Sequence, residues 1–109
     1  MAIVRIWRTR IDPQRGSEYE RFAQDISLPM FRQQQGFLGV LFAGTGADRI
    51  VVSFWRDADA VAALARSPTY ATTVAQITKA GFLEGDAQTE VFPVHGGRWP
   101  TSATSVADE

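Results

Sequence analysis

The chain has 109 residues, of which 45% are hydrophobic and 21% are charged, and its formal net charge is -1. This size and composition are typical of one soluble globular domain, and the near-neutral charge gives no global attraction to nucleic acid or to an acidic membrane. Cysteine is absent, which excludes disulfides, thiolate catalysis and cysteine-bound zinc.

The distribution of apolar residues predicts a cytoplasmic protein. Arginines interrupt the apolar run at the N-terminus, so we expect no signal peptide there. No stretch approaches the ~20 apolar residues that a membrane-spanning helix needs. His95 is the only histidine, so a metal site would consist almost entirely of carboxylates, and we expect no metal and no cofactor.

The chain begins with a predicted strand and helix. Residues 2–11 alternate in the manner of a strand, with large apolar side chains on both of its faces. Ser17 and Glu20 have the spacing of a capping box, which predicts that a helix begins one residue after Ser17. Pro29 should kink or restart this helix, and Gly36 should end it.

A hairpin is predicted next. Residues 37–43 and 50–55 form its strands, and the glycine-rich segment 44–48 forms its loop. The second of these strands carries large apolar side chains on both faces, as the first strand of the chain does. A sheet with one solvent-exposed face would instead carry polar side chains on that face.

The second half of the chain predicts two helices and a last strand. Asp57 can cap a short helix, and Ser67 followed by Pro68 is a second helix start. The helix that starts there is predicted to run to about residue 79, and Gly81 should stop it. Residues 87–95 are the predicted last strand.

The C-terminal segment differs in composition from the rest. We expect a domain over residues 1–95 and a tail over residues 96–109, because the tail is rich in small, polar and acidic residues. Trp99 is the one large side chain of the tail. It either belongs to a loosely ordered terminus or packs on a partner subunit.

The order of the elements predicts an α+β fold of the ferredoxin-like type, βαββαβ, with a four-stranded antiparallel sheet and helices on one face. We expect the other face to carry Trp7, Trp55 and either Leu38 or Leu41. A large apolar patch is uncommon on a soluble monomer, so this face predicts a homodimer.

Four stretches of the chain resemble a known family. They are residues 3–7 (IVRIW), 35–39 (QGFLG), 52–57 (VSFWRD) and 67–70 (SPTY), and the resemblance spans roughly residues 2–94. The family is that of the antibiotic biosynthesis monooxygenase domains, and it implies a dimeric α/β barrel. It also implies a pocket between helices and sheet, in which dioxygen oxidises polycyclic phenols to quinones without metal or flavin.

The chain departs from this family in one respect. It contains no asparagine, although the quinone-forming members have one, and the haem-degrading branch uses an Asn–Trp–His set. Haem degradation by that route is therefore not expected, whereas haem binding without turnover stays open. Quinone formation would require substitute groups.

Three aromatic residues are candidates for substrate binding. Trp55 matches the family tryptophan at the end of the third strand and would stack on a flat substrate, unless it is a core or interface residue. Trp7 on the first strand and Phe42 on the second are assigned to the same pocket.

Three further residues are candidates for handling charge and protons. The hydroxyl of Tyr70 could bind a phenolate, or it could simply meet water. Arg5 could stabilise an anion in an apolar slot, or it could pair with a carboxylate such as Glu90 across a dimer. His95 has a side chain suited to proton transfer near neutrality, or it is a surface residue.

Two functional hypotheses follow. The first is a cofactor-independent monooxygenase of a small phenolic or polycyclic aromatic compound. The second is a non-catalytic homodimer of the same fold that binds a small molecule or has a structural role. The aromatic residues favour the first hypothesis, and the absence of asparagine favours the second.

Overall fold

The computed structural model describes residues 1–98, so most of the predicted tail, including Trp99, lies outside the described residues. The strands are β1 (Ile3–Ile11), β2 (Phe37–Thr45), β3 (Asp48–Trp55) and β4 (Leu83–Pro93). The helices are α1 (Gly16–Phe22), α2 (Leu28–Arg32), α3 (Ala58–Arg66) and α4 (Pro68–Ala80). The predicted α+β, ferredoxin-like order of elements is confirmed. Within residues 1–98, no helix is long and apolar enough to cross a bilayer.

The four strands form one antiparallel sheet in the order β2-β3-β1-β4. In the centre of β1, Trp7 is paired with Val51 of β3 and with Thr89 of β4. The register between β1 and β4 shifts between Arg8 and Arg10. This irregularity in β4 contains Gly85, whose φ of 78° is in the left-handed region that favours glycine.

The first helix begins earlier than predicted and without the predicted capping box. A 3-10 turn (Pro13–Arg15) precedes α1, and the side chain of Asp12 caps this turn by accepting a hydrogen bond from the Gln14 N–H. The carboxylate of Glu20 does not return to the helix N-terminus. It accepts a hydrogen bond from Nη1 of Arg49 at 2.7 Å, so a tertiary ion pair replaces the local cap.

A π turn (Ala23–Ser27) joins α1 to α2. The Leu28 N–H donates to the carbonyl of Ala23, five residues back, so the turn contains one residue more than an α-helical turn. Pro29 follows in the first turn of α2, where its missing N–H costs little. The predicted kink or restart at Pro29 therefore takes the form of a π turn before the proline, and the backbone stays helical at Ser27 and Leu28.

The hairpin and the last strand differ in length from the prediction. β2 and β3 are joined by only two residues, Gly46 and Ala47, because residues 45 and 48 are already paired. β4 begins at Leu83, four residues before the predicted start. Gly81 ends α4 as predicted, with a φ of 83° in the left-handed region.

Both predicted caps of the second half are confirmed. Oδ1 of Asp57 accepts a hydrogen bond from the Ala60 N–H at 2.9 Å, at the start of α3. Oγ of Ser67 accepts one from the Tyr70 N–H at 3.3 Å, at the start of α4. Because Ser67 sets the start of α4, it also determines the position of Tyr70 in the first turn of that helix.

The prediction that Trp7 and Trp55 lie on the uncovered face of the sheet is wrong. The helices cover the face that carries Trp55, which is 0% exposed and packs with Phe31, Ala60 and Leu64. Trp7 is on the same side of β1 as Ile3, the strand neighbour of Trp55. The alternation of the strands places both tryptophans on one side, but it does not say which side the helices occupy.

The uncovered face is nevertheless apolar. On β1 it carries Val4 and Ile6, and the register of β3 places Phe54 and Val52 opposite them. Leu41 of β2 lies beside Val52, and Phe92 of β4 lies beside Val4. Leu41 and Phe92 are 41% and 45% exposed. The sheet therefore has large apolar side chains on both faces, as the sequence indicates.

Candidate functional site

A cavity of about 420 Å³ lies between the helices and the covered face of the sheet. Its volume is within the range of roughly 300–1,000 Å³ that small-molecule sites occupy. The covered face of β1 contributes Arg5 and Trp7, and the first turn of α4 contributes Tyr70. The irregular part of β4 contributes Gly85 and Asp86.

Most of the cavity wall is apolar. Trp7 occupies a central position, since it packs against both of the hydrophobic clusters that form the core. Besides Trp7, the large apolar and aromatic residues of the wall are Tyr19, Phe22, Met30, Phe31, Phe42, Val51, Val74, Ile77 and Leu83. Such a wall suits a flat aromatic molecule, because aromatic rings offer large apolar contact areas at low cost in side-chain entropy.

Arg5 and Tyr70 form a polar pair in this wall. Nη2 of Arg5 donates a hydrogen bond to the hydroxyl oxygen of Tyr70 at 2.8 Å. The guanidinium carbon also lies 5.5 Å from the centroid of the Tyr70 ring, within the range of a cation–π interaction. The two residues are 65 positions apart in sequence, so the fold itself creates the pair.

The positive charge of Arg5 has no counterion in the described part of the chain. The residue is only 8% exposed, yet no ion pair among residues 1–98 involves it. Asp86, the one carboxylate of the described cavity wall, does not pair with it. A buried charge without a partner is costly, so this site favours an anionic ligand.

The pair also has donors to spare. A guanidinium carries five N–H groups, and a single side-chain hydrogen bond of Arg5 is formed. Within residues 1–98, Thr9 Oγ1 is the one side-chain polar atom that is both fully buried and without a hydrogen-bond partner. The Arg5 nitrogens that form no hydrogen bond are therefore not fully buried. Because Tyr70 accepts from Arg5, its own hydrogen is free for a ligand. The arrangement can therefore bind an oxyanion.

No protein-family model and no curated protein matches the chain, but solved structures do. One is the ActVA-Orf6 monooxygenase of Streptomyces coelicolor in complex with nanaomycin D, with 16% identity and a TM-score of 0.77, over 92% of this chain and 93% of that one. Another is SnoaB, a cofactor-independent oxygenase from Streptomyces nogalater, with 17% identity and a TM-score of 0.64, over 88% and 95%.

A third similar structure is assigned to the antibiotic biosynthesis monooxygenases. It comes from Caulobacter crescentus CB15 and has 13% identity and a TM-score of 0.74, over 87% of this chain and 91% of that one. This chain has the antibiotic biosynthesis monooxygenase fold. The resemblance found in the sequence is therefore confirmed for the fold, and identities below 20% do not extend it to a reaction.

The monooxygenase fold brings four of the six predicted site residues together. Arg5, Trp7, Phe42 and Tyr70 all line the cavity. Their roles in binding or catalysis stay predictions. Glu90, the example of a carboxylate that could pair with Arg5 across a dimer, pairs with Arg8 at 2.8 Å on the opposite face of the sheet, and a pairing of Arg5 across a dimer stays a prediction.

The other two predicted residues lie elsewhere. Trp55 is enclosed in the core, where Nε1 donates to Oγ of Ser53 at 2.9 Å, so its ring is not available for stacking on a ligand. His95 follows the end of β4, is exposed and is not part of the cavity wall. Within residues 1–98, no group of three or more histidine, aspartate or glutamate residues is placed to hold a metal ion.

Tyr19 is a cavity residue that the sequence does not single out. It belongs to the apolar stripe of α1, and burial raises the pKa of its hydroxyl to about 12, partly opposed by the charge of Arg49. It packs edge-on against Phe82 with ring centroids 5.8 Å apart. Its hydroxyl, rather than its spacing, distinguishes it from its neighbours on the stripe.

Proposed function

We propose that this protein is a cofactor-independent monooxygenase that oxidises a small phenolic, polycyclic aromatic compound with dioxygen. The observation that carries the proposal is the unpaired charge of Arg5, hydrogen-bonded to Tyr70 in an aromatic cavity of about 420 Å³. The shared fold of ActVA-Orf6 and SnoaB supports it, since both are oxygenases and SnoaB is described as cofactor-independent.

The proposed chemistry depends on the anion of the substrate. A guanidinium near a bound phenol favours the ionised form, and a wall of low polarity strengthens that interaction. The anion is electron-rich and can give an electron to dioxygen, which a neutral phenol does less readily. Arg5 and Tyr70 would hold the oxyanion, and Trp7 and Phe42 would contact the rings.

The overall reaction can be written for an anthrone. Its methylene carbon loses two hydrogen atoms and gains one oxygen atom of dioxygen as a carbonyl, which gives the quinone. The second oxygen atom leaves with the two hydrogen atoms as water. Dioxygen is thus the oxidant and accepts all four electrons, so the reaction balances without a further reductant.

Oxygen consumption with an anthrone tests this function directly. We expect the wild-type protein to exceed the uncatalysed rate, and Arg5→Met and Tyr70→Phe to lower the turnover. Loss of one donor to a developing oxyanion typically costs roughly 10²–10³-fold. Arg56→Met is the matched control, because Arg56 is exposed and is not part of the cavity wall. Uptake by the wild type at the uncatalysed rate would refute the proposal.

A second candidate is a non-catalytic protein that binds the same class of anion. The cavity supplies donors for an oxyanion, but its described wall contains no histidine, and its one carboxylate is on an exposed residue. Such a site can bind a phenolate without helping to form it. Saturable binding of an anthrone that depends on Arg5, combined with no extra oxygen uptake, would favour this function over the first.

We also propose that the protein is a homodimer formed through the uncovered face of the sheet. Each large apolar side chain that is removed from water there contributes roughly 1.5–3 kcal/mol. Sedimentation equilibrium should show a dimer, and Ile6→Glu should shift it to monomer, because Ile6 lies at the centre of that face beside Glu90. A wild-type monomer at micromolar concentration would refute the interface.

A further inference from the structure

Tyr19 provides a second polar group in the cavity wall. The residue is only 4% exposed, and no hydrogen bond to its hydroxyl is formed among residues 1–98. The Tyr19 hydroxyl is not fully buried, because the one side-chain polar atom in that range that is both fully buried and without a partner is Thr9 Oγ1. Tyr19 lines the cavity and is otherwise buried, so the cavity is the open space beside this residue.

Tyr19 and Tyr70, the partner of Arg5, pack in different core clusters. Tyr70 packs against the core cluster that contains Phe31, whereas Tyr19 belongs to the other cluster, with Phe82. Trp7 packs against both clusters and so lies between the two polar groups. A flat molecule on Trp7 would therefore have one edge toward the guanidinium and the other toward Tyr19.

Tyr19 stays a neutral donor under ordinary conditions. Burial raises the pKa of its hydroxyl to about 12, and the nearby Glu20 carboxylate acts in the same direction, against the charge of Arg49. At neutral pH the group therefore keeps its hydrogen. A phenol O–H that has no partner in a cavity gains a hydrogen bond when a carbonyl or ether oxygen arrives.

We propose that Tyr19 is a ligand-binding residue that donates its O–H to a neutral acceptor oxygen at the end of the ligand opposite the oxyanion. The cavity thereby selects aromatic compounds with an ionisable hydroxyl at one edge and a carbonyl-type oxygen at the other. This inference rests on the proposed function for the class of ligand, but it requires binding alone and no turnover.

Three naphthols test the inference by calorimetric titration. 6-Acetyl-2-naphthol carries the acceptor oxygen, 6-isopropyl-2-naphthol has a similar shape without it, and 2-naphthol lacks the substituent. We expect the wild type to bind the acetyl compound about fivefold more tightly than the isopropyl compound, as one neutral hydrogen bond provides. Tyr19→Phe should remove this preference and leave the isopropyl affinity unchanged.

The comparison of both ligands on both proteins isolates the hydrogen bond. The acetyl group also makes the naphthol more acidic, but this changes the affinity of wild type and of Tyr19→Phe equally. The effect therefore cancels when the acetyl preference of one protein is compared with that of the other. Tyr70→Phe should weaken all three ligands and keep the preference. An acetyl preference that survives in Tyr19→Phe, or none in the wild type, overturns the inference and leaves the proposed function intact. Failure of all three to bind overturns both.

Discussion

Replacing Arg5 with methionine should separate the stability of this protein from its affinity for anions. The side chains are of similar length, so the change removes the charge and keeps most of the packing against the cavity wall. Arg5 is 8% exposed and has no counterion in residues 1–98, so the ligand-free protein bears the cost of a buried charge. A bound anion would relieve this cost.

The magnitude follows from the contacts of the guanidinium. Burial costs an ion several kcal/mol after relaxation, and the hydrogen bond to Tyr70 returns about 1.5–3 kcal/mol. The cation–π contact with the same ring adds roughly 0.5–2 kcal/mol. These opposing contributions nearly cancel, so the free energy of unfolding of Arg5→Met should equal that of the wild type or exceed it by up to about 2 kcal/mol.

Binding should respond in the opposite direction. Loss of about 2 kcal/mol of charge-assisted hydrogen bonding weakens an anionic ligand about 30-fold. At a ligand concentration of 100 times the wild-type Kd, the ligand stabilises the wild type by about 2.7 kcal/mol. At the same concentration it should stabilise Arg5→Met by only about 0.9 kcal/mol.

Urea denaturation with and without an anthrone or naphthol measures both effects on the same samples. Arg56→Met is the control, because its ion pair with Asp57 is away from the cavity and half exposed, where such pairs contribute little. The reasoning fails if Arg5→Met loses more than about 2 kcal/mol of stability and keeps the full stabilisation by ligand, since Arg5 would then be a packing residue.

Two further predictions concern the stability of the fold. Gly36→Ala should lower the free energy of unfolding by roughly 1–3 kcal/mol in urea, because φ at Gly36 is 81° and a Cβ there would lie 2.5 Å from that of Ala60. Gly96→Ala, where an added Cβ meets nothing within 4 Å, should change nothing. Asp57→Ala should lower the urea midpoint at pH 7, by an amount that shrinks as the pH falls below about 4. The hydrogen bond from the Ala60 N–H holds the pKa of Asp57 below its usual value, so its stabilisation is present above about pH 4 and is lost as the pH falls through the folded-state pKa. A pH-independent difference would contradict the capping role.

The order of the elements could be predicted from the sequence because local signals mark each boundary. Asp57 and Ser67 both accept the hydrogen bonds that their cap positions imply, and Gly81 has the left-handed backbone of a helix end. The predicted capping box failed because Glu20 has a stronger partner in the buried Arg49, 29 positions away. Local spacing carries no information about such a tertiary competitor.

The side of the sheet that the helices cover could not be predicted. Strand alternation shows which residues share a face, but both faces of β1 and β3 are apolar, so the pattern is compatible with either choice. Ser53 is one of the polar residues on the face that is in fact buried. It is satisfied locally, since its Oγ accepts from Trp55 Nε1 and donates to the carbonyl of Arg5 at 3.4 Å.

The cavity was predictable in part. Arg5 and Tyr70 are candidates from the sequence, since Arg5 lies in the apolar first strand and Tyr70 follows the helix start at Ser67 and Pro68, and the structure joins them. Tyr19 could not be distinguished from a core residue of its helix stripe. Whether its hydroxyl has a hydrogen-bond partner depends on which groups the fold places near it, and the spacing of residues along a helix does not show this.

The π turn between α1 and α2 accommodates one residue more than an α-helical turn, and the wall of the cavity depends on it. Ala23 and Ser27, at its two ends, both line the cavity. If the same residues formed a regular α-helix instead, every side chain after the turn would be rotated by about 100° about the helix axis. Met30 and Phe31 would then swing away from the sheet, and the cavity would open on that side. The five-residue turn therefore keeps the side chains of α2 directed at the cavity, although it interrupts the α-helical hydrogen-bond pattern.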